Sequence, residues 1–245
     1  MSRVLLEVCV DDASGLAAAV EGGADRIELC SALAVGGLTP SAGLMALAAR
    51  APVPVYAMVR PRPGAFVFDA VELDIMRRDI DAARAAGLAG VVLGASQANG
   101  RLDAQTLAEL THHASGLGLT LHRAFDLVPD FAEATAIAFE LGFERILTSG
   151  GARTAPEAVD RLEELVEMAA GRLSIMPGSG VTIDSIDRLL PRLGVIEVHS
   201  SCSVREPATD VRMVEMGFAP AVARRTDAAT VRAMKARLDA ILARR

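Results

Sequence analysis

Three short apolar segments of the sequence carry acidic, thiol and imidazole side chains at every second position. Residues 5–9, 26–30 and 195–199 are rich in valine, isoleucine and leucine, which is typical of strands. Successive side chains of a strand point to opposite faces, so each segment places its polar groups on one face. Buried carboxylates and imidazoles are costly as packing material, and we therefore expect these faces to line a functional cavity. The pairs that share a face are Glu7 with Cys9, Glu28 with Cys30, and Glu197 with His199.

Proton transfer is one chemistry that these residue types support. Glutamate and histidine act as general acids and bases, and arginine stabilises negative charge that develops during a reaction. Asp126 follows His122 and Arg123 closely and is expected to orient one of the two. The structural alternative is a polar network in which arginines neutralise the glutamates. The predicted catalytic set is Glu7, Glu28, Arg60, His122, Asp126, Glu197 and His199.

The elements that must position these side chains repeat as a short apolar strand followed by an alanine-rich helix. The repeat spacing of about 25–30 residues matches the size of a βαβ unit. Residues 200–226 are predicted as a long loop. The predicted strands are 4–10, 26–30, 54–60, 90–94, 119–123, 145–149, 173–176 and 195–199, and the predicted helices are 13–21, 40–50, 71–86, 102–115, 131–141, 155–171, 183–190 and 227–245.

Eight such units predict an α/β fold, a single (β/α)₈ TIM barrel over residues 1–245. A doubly wound open sheet is the main alternative, but its central strands would be apolar on both faces. The alternating polar positions favour the barrel, and they gather at the C-terminal strand ends, where barrels carry their functional face. The last helix, about residues 227–245, is expected to pack on the barrel or at a subunit interface.

Binding of a small anion is a second chemistry that the sequence indicates. Glycine- and serine-rich loops follow the predicted sixth, seventh and eighth strands, and TIM barrels commonly bind phosphate after the last two strands. Glycine-rich turns are also needed simply to reverse the chain, so both interpretations stay open. The predicted anion-binding residues are Arg62, Arg123, Ser149, Gly150, Gly178, Gly180 and Ser200.

Composition argues against several classes of protein. A net charge of −6 and 3% aromatic residues argue against a nucleic-acid partner. No apolar run approaches the roughly 20 residues that cross a membrane, and the N-terminus lacks the plan of a signal peptide, so we expect a cytoplasmic protein without a membrane partner. Three cysteines, an odd number, argue against a disulfide framework. The single lysine, Lys235, lies in the predicted last helix, which excludes Schiff-base chemistry in the barrel.

Motifs spread over residues 5–204 resemble the CutC family of copper homeostasis proteins. The resemblance implies a TIM barrel, a cytoplasmic location, a homodimer and a role in binding copper. The motifs that carry the resemblance are LEVC at 6–9, GADRIELC at 23–30, GGLTPS at 36–41, VRPRPG at 59–64, HRAFD at 122–126, LTSG at 147–150, GSGV at 178–181 and EVHSS at 197–201.

The resemblance also implies that Cys9 and Cys30 bind Cu(I), which prefers a few soft thiolate ligands. The alternative is that both are small core residues. Cys202 is either a third ligand or an exposed thiol, and His199 is a candidate imidazole ligand. We therefore predict a copper homeostasis protein whose cofactor and partner is Cu(I), bound at the mouth of the barrel. The alternative is an enzyme that acts by acid/base chemistry on a small phosphorylated or carboxylated metabolite.

Overall fold

Eight parallel strands alternate with helices in the computed structural model, which describes residues 3–243. Their side chains alternate between an apolar outer face, which packs on the helices, and an inner face that carries polar groups. The strands are β1 (Leu5–Val10), β2 (Arg26–Leu29), β3 (Val55–Met58), β4 (Gly90–Leu93), β5 (Gly118–Leu121), β6 (Arg145–Thr148), β7 (Ser174–Pro177) and β8 (Glu197–Ser200).

The strand order brings the first and the last strand together. Hydrogen-bonded neighbours run from β7 back through β6, β5, β4, β3 and β2 to β1, and β1 also pairs with β8. β7 and β8 lie against each other and complete the ring. The predicted TIM barrel is confirmed. The open doubly wound sheet is excluded, because the two edge strands of an open sheet stay apart, whereas β7 and β8 lie against each other.

Helices surround the barrel and cover the apolar outer face of the strands. Several begin at an aspartate whose carboxylate accepts the first free backbone N–H groups, and Asp69 forms a full capping box with Glu72. The helices are α1 (Ala13–Gly22), α2 (Ala42–Ala48), α3 (Ala70–Ala86), α4 (Ala104–His113), α5 (Phe131–Glu140), α6 (Val159–Ala169), α7 (Ile183–Leu193), α8 (Val211–Glu215) and α9 (Ala228–Leu242).

The segment after β8 differs from the prediction. The predicted long loop contains two antiparallel strands, β9 (Ser203–Pro207) and β10 (Val222–Thr226), joined through α8. Both strands are largely exposed and rich in charge, as in the ion pair of Arg225 with Glu206. Strands of this kind lack the apolar alternation by which a sequence reveals them, so the hairpin was missed.

The last helix, α9, packs on the outer wall of the barrel against α1 and α7. Val231, Met234, Leu238 and Ile241 form its buried face. The α1 helix approaches so closely that a Cβ atom on Gly22 would lie 2.4 Å from Cβ of Val231. This position is one of the two that the sequence predicted, and residues 244–245 of the predicted helix lie outside the described residues. None of the helices between residues 3 and 243 is both long and apolar enough to span a bilayer.

The interior of the barrel makes room for one large aromatic side chain. A Cβ atom on Gly90 or Gly118 would approach the Tyr56 side chain to 2.3 Å and 2.2 Å. The missing side chains of these two glycines therefore let the tyrosine ring lie across the lower interior, where its hydroxyl donates to Glu144 over 2.9 Å.

Candidate functional site

A buried ion network forms the floor beneath the candidate site. Arg26 donates to Glu197 over 2.6 Å and to Glu7, and Arg145 donates to Glu197 over 3.2 Å. The guanidinium groups of Arg26 and Arg145 also lie 5.5 Å and 4.9 Å from the Tyr56 ring centroid. The carboxylates of Glu7 and Glu197 thus form ion pairs with these two guanidinium groups, and Glu197 belongs to the floor network.

His199 stands on this floor between two carboxylates. Its Nδ1 lies 2.8 Å from Oε1 of Glu7, and its Nε2 lies 3.8 Å from Oε2 of Glu28. Burial opposes a charge on the imidazole, but electrostatic and hydrogen-bond interactions with Glu28, Cys9 and Glu7 raise its pKa well above the usual 6.5. Burial likewise opposes ionisation of Glu7, yet Arg26 and His199 lower its pKa to about 2.

Cys9, Glu28 and His199 bring a sulfur, an oxygen and a nitrogen atom together above the floor. These three ligand atoms lie within 4.8 Å of one another, and all three residues are buried. We call them the Cys–Glu–His cluster. Burial raises the pKa of Glu28, and its Oε1 atom has no hydrogen-bond partner in the part of the chain that the structure describes. A buried oxygen without a partner is costly unless something binds it, so the cluster has the features of an ion site.

The two cysteines of the predicted metal pair lie in different surroundings. Cys9 belongs to the Cys–Glu–His cluster, whereas Cys30 is buried among apolar atoms of Tyr56, Met58 and Val92. The Cys30 thiol donates to Oε2 of Glu28 over 3.6 Å, and burial together with the charge of Glu28 raises its pKa well above the usual value. Cys30 therefore borders the cluster through Glu28.

Cys202, the third cysteine, is not the exposed thiol that the sequence allowed for. Its side chain is buried, with 4% of the residue exposed. Burial raises the pKa of its thiol to about 11. Its backbone N–H donates to the Ser200 hydroxyl over 3.2 Å, and that hydroxyl donates to the Val181 carbonyl over 2.7 Å. These two hydrogen bonds of the Ser200 hydroxyl fix the turn that follows β8.

A cavity of about 250 Å³ opens above the Cys–Glu–His cluster at the C-terminal strand ends. His122 lines its opposite wall, and its Nδ1 accepts from the backbone N–H of Ala124 over 3.2 Å. Burial and the nearby charge of Arg60 lower the pKa of His122 to about 3, so the imidazole is neutral. The residues that line the cavity are Cys9, Glu28, Leu33, Gly36, Met58, Arg60, Phe66, His122, Arg123, Leu147, Ser179 and His199.

Asp126 organises the rim of this cavity by binding Arg123. Its carboxylate accepts from Nε of Arg123 over 2.7 Å, from the Thr148 hydroxyl over 2.5 Å and from the backbone N–H of Ser149 over 2.9 Å. Of the two partners that the sequence suggested for Asp126, the structure thus selects Arg123. The carboxylate fastens the β6 loop to the segment after β5, and it holds Arg123 at the rim.

The predicted anion-binding groups of the late loops already have partners or shape the cavity. Ser149 donates to the Ala152 carbonyl over 2.5 Å, and the N–H of Gly150 donates to the Thr148 hydroxyl over 2.9 Å. A Cβ atom on Gly178 would lie 2.4 Å from Cδ1 of Leu147, and one on Gly180 would lie 2.8 Å from Cβ of Thr154. These two glycines therefore provide space. Ser200 is engaged as described above, and Ser179 lines the cavity.

Arg62 has its own partners on the loop after β3. It pairs with Glu72, and its guanidinium donates to the carbonyls of Ala65 and Val67 over 2.8 Å each. Arg60, two residues earlier, lines the cavity instead. The sequence placed both arginines at one turn, and only the structure separates their roles.

Sequence reasoning missed three side chains that build the site. Arg26 and Arg145 complete the floor, and Phe66 covers part of the cavity. The alternation of β2 offered a signal for Arg26, because it stands two positions before the inward Glu28. Arg145 opens β6 on the face shared with Leu147. Phe66 lies in an irregular loop, where no periodicity gives its direction.

A second cavity of about 550 Å³ lies between the barrel rim and the β9–β10 hairpin. Cys9 and Leu33 line both cavities, so these two side chains form the partition between them. Asp11, Asp12 and Arg224 add charge to its wall. The hairpin that forms this space was the part of the chain predicted as a loop, and the cavity was therefore not foreseen.

Comparison with known proteins places the barrel among close relatives. Residues 4–204 match the CutC family. The chain is 72% identical over 240 residues to a family protein CutC of Rhizobium meliloti (strain 1021), with 98% of both chains covered. It is 60% identical over 231 residues to a family protein CutC of Caulobacter vibrioides (strain NA1000 / CB15N), with 94% of both covered. A crystal structure of CutC from Streptococcus agalactiae, described as a candidate copper homeostasis protein, superimposes with a TM-score of 0.78. The two sequences are 34% identical, and the superposition covers 81% of this chain and 98% of the S. agalactiae chain.

Proposed function

The chain belongs to the CutC family, and from this membership we propose that it is a copper homeostasis protein that binds copper at the Cys–Glu–His cluster. The copper is cargo in this proposal, and Cys9, Glu28 and His199 hold it. The S. agalactiae relative supports the choice of metal through its description. The close approach of three donor atoms of different kinds supports the choice of site.

The donor set is compatible with copper. Thiolate and imidazole are ligands that copper accepts well, and the carboxylate supplies a further oxygen. Ligand atoms that share one ion lie about 2.0–2.3 Å from it, so they are separated by no more than about 4.6 Å. The three donor atoms lie within 4.8 Å of one another, so small side-chain movements would bring them to an ion. Such an ion would also give the unpartnered Oε1 of Glu28 a partner.

Glu7 acts as the supporting group of this site. Nδ1 of His199 donates to Oε1 of Glu7 over 2.8 Å, which leaves Nε2 directed toward Glu28. A carboxylate behind a ligating histidine fixes the orientation of the ring and makes the ligand more basic. The ion pair of Glu7 with Arg26 holds this carboxylate in turn. The floor network thereby orients the proposed ligand.

Cys30 is the residue on which the proposed site differs from the expected pair of thiolates. A two-thiolate Cu(I) site would require its thiol to leave Glu28 and the apolar cluster of Tyr56, Met58 and Val92. The mixed cluster needs no such rearrangement. We therefore assign Cys9 as the thiolate ligand and place Cys30 beside the site.

Anaerobic titration with Cu(I) against a competing chelator tests the proposal. Cys9→Ser should lower the affinity by roughly 100-fold or more, since loss of a ligand exceeds the 10- to 100-fold cost of losing a supporting group. Cys202→Ser, which replaces another buried cysteine, should leave the affinity unchanged and is the matched control.

Two further outcomes test the assignment of ligands and metal. Cys30→Ser should change the affinity by only a few fold, and a loss as large as that of Cys9→Ser would favour the two-thiolate pair instead. Wild-type affinity in Cys9→Ser would remove the cluster as the copper site. Selective uptake of Zn²⁺ from an equimolar mixture with Cu(I) would contradict copper as the cargo.

A further inference from the structure

The wall opposite the Cys–Glu–His cluster carries two buried N–H groups that have no partner among residues 3–243. Nδ1 of His122 accepts a hydrogen bond from the backbone, so the proton of the neutral ring is on Nε2. This Nε2–H donates to no acceptor, and neither does Nε–H of Arg60. Buried donors are rarely left without partners in folded proteins, and unpartnered ones in a cavity wall indicate a place for a ligand.

The remaining donors of Arg60 hold its guanidinium firmly in place. Nη1 donates to the carbonyls of Val35 and Gly37 over 3.0 Å and 3.1 Å, and Nη2 donates to Gly64 over 3.0 Å. All three acceptors are neutral backbone groups, so the positive charge of Arg60 has no carboxylate partner among them. A fixed cation with a free Nε–H and no carboxylate partner among the described residues favours an anionic ligand.

Phe66 packs against both side chains that carry the free donors. Its ring centroid lies 4.8 Å from that of His122, and the guanidinium carbon of Arg60 also lies 4.8 Å from the Phe66 centroid. Phe66 stands in the irregular segment between β3 and α3, and its side chain is only partly buried. Its backbone carbonyl is fixed by the N–H of Ser96 over 2.8 Å. With the backbone held there, the ring can leave these two side chains only by rotation of the Phe66 side chain.

The charge and size of the cavity limit what this wall can bind. Arg60, Arg123 and His199 line it as cations, and Glu28 is the single carboxylate among the lining residues of the described chain. Asp126 neutralises Arg123 at the rim, so Arg60 is the cation left for a ligand. A volume of about 250 Å³ lies below the roughly 300 Å³ at which pockets for larger ligands begin. Two donors suit the two oxygens of a carboxylate, and the apolar lining suits a short carbon chain.

We propose that this wall binds a small aliphatic carboxylate, with one carboxylate oxygen on Nε2–H of His122, the other on Nε–H of Arg60, and Phe66 displaced to cover the carbon chain. The site goes beyond copper binding and does not depend on it, because neither donor belongs to the Cys–Glu–His cluster. It locates the anionic ligand at the ends of β3 and β5, away from the late loops. Leu33, Met58 and Leu147 provide the apolar surface.

Ligand-observed NMR titration of metal-free protein with propionate tests this site. Propionate should bind saturably, and the neutral isostere propionamide should bind at least tenfold more weakly, because it cannot accept charge-assisted hydrogen bonds on both oxygens. His122→Asn keeps an acceptor for the N–H of Ala124 and removes Nε2–H, so we expect the variant to fold as the wild type does. This variant should bind propionate about tenfold or more weakly.

Two control variants and a cross-check with Cu(I) separate the site from its surroundings. Arg78→Ala removes an exposed arginine of α3 that pairs with Asp74 and does not line the cavity, and should bind propionate as the wild type does. Cys9→Ser should also bind propionate normally, and His122→Asn should bind Cu(I) normally. The carboxylate site and the copper site can thus fail independently.

Several results would overturn the assignment. Equal binding of propionate and propionamide would show that no charge is recognised. If His122→Asn binds propionate with wild-type affinity, or if only Cys9→Ser loses propionate binding, the anion binds at a different part of the protein. Tighter binding of inorganic phosphate than of propionate would replace the carboxylate by a different class of ligand.

Discussion

Replacement of Glu7 by glutamine tests the buried ion network on which the site rests. The substitution keeps the size of the side chain and removes its charge. Glu7 pairs with Arg26 and accepts from His199 over 2.8 Å, and it is fully buried. Glu7→Gln therefore leaves Arg26 with Glu197 as its remaining acidic partner in the network.

The pKa of Glu7 gives the size of the expected effect. It falls from the usual 4.5 to about 2 on folding, which corresponds to about 3 kcal/mol of stability at pH 7. Because the pKa is lowered in the folded state, this contribution is present above pH 4.5 and is lost as the pH falls toward 2. At pH 3, less than half of this contribution should remain. For a chain of this length, 3 kcal/mol corresponds to a decrease of about 6–12 °C in Tm.

Urea unfolding followed by far-ultraviolet circular dichroism measures this difference at pH 7 and at pH 3. Glu21→Gln is the matched control, because Glu21 forms an exposed ion pair with Arg232 over 3.4 Å at 71% and 59% side-chain exposure. Exposed pairs contribute at most about 1 kcal/mol. Glu7→Gln should therefore be clearly less stable than Glu21→Gln at pH 7, and the gap should narrow at pH 3.

A gap that stays the same at both pH values would refute the reasoning. It would show that the titration of Glu7 does not account for the difference in stability between the two variants. Equal stability of the two variants at pH 7 would mean that the desolvation of Glu7 cancels its pairing with Arg26.

Two further predictions concern packing and metal binding. Gly22→Ala should lower the unfolding free energy by about 1–3 kcal/mol, since its Cβ would overlap Val231 of α9. Gly43→Ala in α2 is the control: its Cβ would meet nothing closer than 3.9 Å, and the substitution should raise the unfolding free energy by about 0.5–1 kcal/mol. Equal effects of the two substitutions in urea unfolding would contradict the α1–α9 packing. Copper binding releases the proton of a ligating histidine. Below the raised pKa of His199, the copper affinity should therefore increase by about tenfold per pH unit for each proton released. An affinity that is constant from pH 6 to pH 8 in the chelator titration would argue against His199 as a ligand.

The pattern of the sequence was sufficient for the fold and for the direction of many side chains. Alternation along β1, β2 and β8 placed Glu7, Cys9, Glu28 and His199 on inward faces, and the eight repeats predicted the barrel. These features are local, because strand alternation and helix signals depend on neighbours along the chain. The exposed β9–β10 hairpin was not predicted, because it has no apolar pattern along the chain and is stabilised by tertiary contacts instead.

The partners of the inward side chains were decided only by the tertiary structure. Alternation gives the face of a side chain but not its height, and the height depends on the register between strands of a closed barrel. That register sets Cys9 beside Glu28, and it sets Glu7 beside both Arg26 and His199. Cys30 follows Glu28 by two positions and so lies beyond Cys9. The sequence therefore determined that thiols, carboxylates and imidazoles face inward, whereas strand register decided that one thiol joins the cluster and the other packs in an apolar corner.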